Sequence, residues 1–261
     1  MRKLLAAILA VGLVTGLAVS GAGASVAEAK GALKVGTNLP APGFWNGNDP
    51  DSISGGFEYD LAKAIGAKLG YSGVKVVNVS FDGLVAGKAK GFDFAFSQVT
   101  ITKARKKVVD FSVPYFNSDQ GILVRKGTTV ADGAAAKKLK WGVQTATTAQ
   151  DYLKNTLKAD NEPSVYQETS QAFAALQAGQ VDAVLLDTAI VLQQAAASNG
   201  QFQVVGQFKT GEQYGAVFNK GSKIEKKVNN AIKALKADGT VSQLAEKNLG
   251  GDPAKVPVIK P

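Results

Sequence analysis

The sequence predicts an α/β protein made of two blocks, each a mainly parallel sheet flanked by helices. Two observations carry this: short β-like runs alternate with helix-like runs along most of the chain, and the alternation falls into two blocks that part near Gln120. No short-period repeat interrupts them, so a solenoid is not expected. At 261 residues, 45% apolar and 20% charged, the chain has the balance of a globular protein of one or two domains.

In the first block residues 33–37 read as a strand. Residues 57–69 read as a helix that aligns Phe57, Leu61, Ala64, Ile65 and Leu69 on one face. Glu58 and Asp60 lie early in it and Lys63 and Lys68 late, which suits the helix dipole, and Gly70 can end it. Strands follow over 74–79 and 92–99, and Thr102 can cap a short helix running to Val108. The second block has strands over 121–125, 141–144 and 165–167, with a helix starting near Thr148. A helix from Gln171 to Gly179 leads into a buried strand over 181–186, a helix over 188–197, and strands over 202–208 and 214–218. In the tail, Ser222 and Glu225 read as a capping box ahead of Ile224, Val228, Ile232 and Leu235 at helical spacing.

Arg2 and Lys3 precede an apolar run to Val19 and then a small-residue stretch, the layout of a secretory signal peptide over residues 1–29. Cleavage fits after Ala24 or after Ala29. The apolar run is short for a membrane span, which needs about 20 residues. Nothing after Ala29 is apolar for long enough to span, and no cysteine follows the run to carry a lipid. The expected location is the periplasm, with release to the medium as the alternative. A cysteine-free exported chain of this size buries enough apolar surface to need no disulfides.

Histidine and cysteine are both absent. Ser-His-Asp triads, Cys-His dyads and the common zinc sites are therefore excluded, and no metal or cofactor is expected. No glycine-rich loop ends in Lys-Ser or Lys-Thr, so nucleotide hydrolysis is not expected. The formal charge is +9, or +7 once Arg2 and Lys3 are removed. Its lysines are dispersed and not interleaved with aromatics, so no nucleic-acid partner is expected; the basic surface suits an anionic membrane or an acidic docking face.

Several segments taken in order carry a resemblance: Leu33-Lys-Val-Gly-Thr37, Gly56-Phe-Glu-Tyr-Asp-Leu-Ala62, Phe81-Asp-Gly-Leu84, the run from Thr100 through Arg105 to Phe111, Pro114-Tyr115, and Val181-Asp-Ala-Val-Leu-Leu-Asp187. From about residue 32 to residue 249 the chain resembles the polar amino-acid-binding family of periplasmic solute-binding proteins. That resemblance implies a type II clamshell of two lobes. Lobe one is residues 30–114 plus 216–261, lobe two is 120–210, and 115–119 and 211–215 are hinge segments. The implied role is binding a free amino acid and presenting it, as a monomer, to the transmembrane permease of an ABC importer. The loop over residues 38–55 would hang over the cleft, its length being that of a functional loop.

A free amino acid presents a carboxylate and an ammonium, so a site must offer a cationic fork and an anion. The resemblance assigns the carboxylate to Arg105, helped by the backbone at Thr100 and Thr148, and the ammonium to Asp187. Ala146 stands where the family has glycine. Arg105 could otherwise be one more base beside Lys103, Lys106 and Lys107, Asp187 could be a helix N-cap, and Asp182 reads as structural. Phe81 is a hydrophobic wall or ordinary core. Asn38, where the family's cationic and glutamine binders commonly carry aspartate, joins Gln98 and Gln144 in an uncharged pocket that favours a neutral polar amino acid. Phe44 and Trp45 could add an aromatic wall. Two alternatives remain: a dehydratase of prephenate-like acids on the same fold, which needs a proton donor at the leaving hydroxyl, and a ligand-sensing module.

Overall fold

The computed structural model describes residues 30–261. The leader expected over residues 1–29, with both cleavage positions, lies outside the described residues.

Two five-stranded sheets organise the chain. The first contains β1 (Leu33–Thr37), β2 (Val74–Asn78), β3 (Phe94–Ala95), β4 (Val109–Phe111) and β10 (Val217–Asn219), in the order β2-β1-β3-β10-β4. The second contains β5 (Phe116–Arg125), β6 (Trp141–Gln144), β7 (Ser164–Tyr166), β8 (Ala183–Asp187) and β9 (Phe202–Tyr214), in the order β7-β6-β8-β5-β9. Both are mixed sheets. β10 runs antiparallel to β3 and β4, and β5 antiparallel to β8 and β9, while the remaining pairs are parallel. The reversed strand in each case is the first one laid down after the chain crosses from the other sheet. It arrives from the opposite side and so pairs without a crossover helix.

Helices cover the sheets: α1 (Phe57–Lys68), α2 (Phe81–Val85), α7 (Glu225–Ala237) and α8 (Thr240–Asn248) in the first half, and α3 (Gly133–Lys137), α4 (Thr148–Asp151), α5 (Thr169–Gln177) and α6 (Thr188–Ala197) in the second. α1 buries Phe57, Leu61, Ala62 and Ile65 as its apolar spacing requires. Glu58 lies in the first turn, as expected, and is also fully buried, on the same face as Ala62 and Gly66.

The crossovers lie side by side. Phe116 pairs with Tyr214 across β5 and β9, their rings stack at 5.4 Å, and Thr100 bridges to Tyr214. The expected strands over 202–208 and 214–218 become one long β9 and a separate β10. The strand over 92–99 shortens to β3, because residues 97–100 turn away from the sheet toward the cleft.

Three local expectations are corrected. Ile224, not Ser222, occupies the N-cap of α7, and no side chain caps that helix. Phe44 and Trp45 are buried in the first core, with the Trp45 indole N–H donating to Glu58 at 2.8 Å, so neither walls a cleft. Their aromatic area is worth more against Phe57 and Tyr59 than against solvent. The tail also leaves the first half after α8: Val258 bridges Gln207, and Ile259 is buried in the core of the second sheet. The last residues of the segment 216–261 therefore lie on the second sheet.

Candidate functional site

A cleft of about 240 Å³ lies between the two halves. Asn38, Phe81, Gln98, Thr100, Arg105, Gln144, Thr148 and Asp187 all line it, so the structure brings all eight sequence-predicted residues to one place.

Arg105 opens a 3₁₀ turn, Arg105–Lys107, whose entry is fixed by the Thr102 hydroxyl accepting from the Arg105 backbone N–H at 3.1 Å. Its side chain is turned inward and only 8% exposed, unlike exposed Lys103, Lys106 and Lys107. Nη1 donates to the Thr100 carbonyl at 2.7 Å and Nη2 to the Ala146 carbonyl in the other half at 2.9 Å. Guanidinium has five N–H donors, so three remain for an anion. The cation also sits 5.4 Å from the centre of the Phe81 ring. Phe81 thus belongs both to a small apolar cluster with Leu84 and Val99 and to the cleft wall. Burial lowers the Arg105 pKa, against the opposing fields of Asp187 and Glu212.

Asp187 closes β8 and is 5% exposed. It makes no capping bond to α6. Oδ1 accepts from Gln120 Nε2 at 3.1 Å. The buried Tyr214 hydroxyl donates to Ser118 Oγ at 3.3 Å and lies near enough to Asp187 to favour the ionised carboxyl. Oδ2 has no hydrogen-bond partner among the described residues, as is true of Gln120 Oε1. Of these two residues, Asp187 lines the cleft, and an unpaired buried acceptor there can take a bond from a donor-rich cation, since leaving it unpaired is costly. Burial, reinforced by the charge of Glu212, pushes the Asp187 pKa up to about 7.

Thr148 begins α4, where its backbone N–H has no partner inside the helix, and its hydroxyl donates to Glu212 at 2.8 Å. The Thr100 hydroxyl donates to the same Glu212 oxygen at 2.6 Å, and Gln120 donates to the other at 3.0 Å. Glu212 was not foreseen. It sits in the crossover strand β9, and only the pairing of that strand with β5 brings it to residues more than 60 positions away.

On the far wall, Asn38 Nδ2 donates to the Val79 carbonyl at 3.2 Å and to Glu168 Oε2 at 3.0 Å, while Asn38 Oδ1 accepts from Gln144 Nε2 at 3.1 Å. Asn38 therefore ties the two halves together. Asp182 is structural, its carboxylate accepting from the Lys140 backbone N–H at 2.9 Å.

Ala146 keeps the loop shape that glycine would give, at φ +61°. An L-residue in that region carries a steric cost that glycine lacks, partly offset by glycine's greater unfolded entropy. Ala146→Gly is expected to raise stability by roughly 0.5–1 kcal/mol, read as a higher denaturant midpoint at unchanged slope.

Among the described residues no cluster of His, Cys, Asp or Glu suits a metal, and no helix is long and apolar enough to cross a membrane. Residues 33–251 match the family model described as bacterial extracellular solute-binding proteins, family 3. The L-cystine-binding protein TcyJ of Escherichia coli (strain K12) is 30% identical over 97% of this chain and 97% of its own length. The ABC transporter arginine-binding protein 1 of the same strain is 32% identical over 86% of this chain and 92% of its own. Among solved structures, an ancestral arginine-binding protein, seen bound to glutamine and bound to arginine, shares 37% identity over 85% of this chain and 99% of its own, with a TM-score of 0.73. With two mixed sheets facing a cleft in the type II periplasmic-binding-protein arrangement, this chain belongs to the bacterial extracellular solute-binding proteins, family 3.

Proposed function

We propose that the protein binds a free L-amino acid between its two halves, in the periplasm, and delivers it as a monomer to the permease of an ABC importer. The observation that carries this reading is the opposed pair in one cleft: a buried Arg105 with spare N–H donors, and a buried Asp187 with an oxygen that has no partner among the described residues. That pair is complementary to a carboxylate and an ammonium on one carbon. The named relatives support it, since their names give cystine, arginine and glutamine as ligands.

In this reading the halves, hinged at 115–119 and 211–215, close over the ligand. Asn38, Gln98 and Gln144 meet the ligand side chain without a charge of their own, which favours a neutral polar amino acid. The role is binding and not turnover, and no product is expected from a prephenate-like acid.

Thermal unfolding of the refolded, ligand-free chain against the common amino acids tests this. A ligand present at about 100 times its Kd stabilises the fold by about 2.7 kcal/mol. Glutamine or asparagine is expected to raise the midpoint more than lysine or arginine. A flat response to every amino acid contradicts the reading.

A further inference from the structure

Two glutamines in the cleft donate their amide N–H groups to acceptors of the protein. Gln98 Nε2 donates to Oε2 of Glu58. Gln144 Nε2 donates to the Gln167 main-chain carbonyl at 3.1 Å and to Asn38 Oδ1. The Asn38 orientation is settled in turn by the Val79 carbonyl, which accepts from its Nδ2. In both glutamines the amide nitrogen is therefore held by protein, and Oε1, which makes no hydrogen bond among the described residues, is left to the cleft that both residues line.

Glu58 holds this arrangement. Fully buried, it accepts from four donors: the Trp45 indole N–H, the Tyr115 hydroxyl, the Gln98 backbone N–H at 2.9 Å and the Gln98 side-chain amide. Burial raises its pKa while the four donors oppose that rise. Two of the donors, the indole and the backbone N–H, can never accept, so they hold one lone pair on each oxygen. Gln98 itself sits at φ +49°, a conformation that the bond from its backbone to Glu58 helps to keep.

Resting on the amino-acid reading above, we infer that Glu58 is a positioning residue that turns the Gln98 carbonyl oxygen into the cleft, and that Gln98 and Gln144 together select a ligand side chain bearing N–H or O–H donors. At Gln98 and Gln144 a carboxylate side chain would face two acceptor oxygens. An apolar one would leave both acceptors dry and unpaired.

Titration calorimetry of the ligand-free chain with L-glutamine, L-glutamate, L-methionine and L-alanine tests this. Glutamine is expected to bind at least about tenfold more tightly than glutamate or methionine, the worth of one or two neutral hydrogen bonds. Glutamate or methionine binding as tightly as glutamine overturns the inference alone. Failure of the wild-type chain to bind any of the four overturns the amino-acid reading, and the inference falls with it. Glu58→Gln gives position 58 an amide that can donate, which lets the Gln98 amide turn over. Gln98→Leu removes the acceptor while keeping most of the bulk. Each variant is expected to lower the ratio of glutamine to alanine affinity several-fold, because the alanine side chain is too short to use Gln98. A merely structural role would weaken both ligands by one common factor, and an unchanged ratio overturns the inference. Should Glu58→Gln fail to fold, the ratio in Gln98→Leu decides the outcome.

Discussion

Arg105→Ala is expected to weaken amino-acid binding by roughly 30-fold to several-thousand-fold, the equivalent of about 2–5 kcal/mol for truncating one side of a buried charge-assisted contact. The loss has two parts. The ligand carboxylate would lose its cationic fork, and Asp187 and Glu212 would keep their negative field in a cleft with no cation to balance it. The fold should survive, because the side chain lines a cleft and its removal opens no sealed void. Arg105→Lys should also bind poorly. The Thr100 and Ala146 carbonyls already take two donors, so an ammonium with three would have one left for a carboxylate where arginine has three. Calorimetry with the best ligand, beside a thermal melt, separates this from unfolding; normal binding by both variants would return Arg105 to the solvated basic face.

Asp187→Asn should produce opposite effects on stability and binding. A carboxyl whose pKa is raised on folding, from an ordinary 3.8 to about 7, favours the folded state at pH values below about 4. That advantage is lost as pH rises through 7. Above neutrality the wild-type chain carries a buried anion that burial and Glu212 both disfavour. The asparagine variant escapes this, and its unliganded form is expected to be the more stable one at pH 8, by an amount on the order of a few kcal/mol. The difference should shrink as pH falls from 7 to 4. Binding should move the other way, since only the ionised Asp187 can hold an ammonium. Wild-type affinity is expected to rise about tenfold per pH unit below 7 and to level off above it, while the variant stays weak throughout. Denaturant titrations and calorimetry across this range check both trends, and a wild-type affinity independent of pH would exclude Asp187 from the contact.

The elements that were legible in the sequence were those with a period or a motif. α1 and β8 followed from apolar spacing, and Arg105 from the family resemblance carried by the run from Thr100 to Phe111. Glu212, Gln120 and Glu58 were not legible, because their roles come from partners 13 to 112 positions away that tertiary packing and the crossovers bring near. One local signal for Glu58 existed: it stands four residues before Ala62, on the face that α1 buries. Phe44 and Trp45 were misplaced for a related reason. In a loop without periodicity, nothing local tells an aromatic that walls a cleft from one that fills the core beneath it.

The claim that the two halves grip one zwitterion is tested most directly by blocking each of its charges in turn. The ligand-free chain should bind L-glutamine, and both L-glutaminamide, which lacks the carboxylate, and N-acetyl-L-glutamine, which lacks the ammonium, should bind at least about 100-fold more weakly in calorimetry. Equal affinity for either blocked form would contradict the account, because Arg105 or Asp187 would then have no part in holding the ligand.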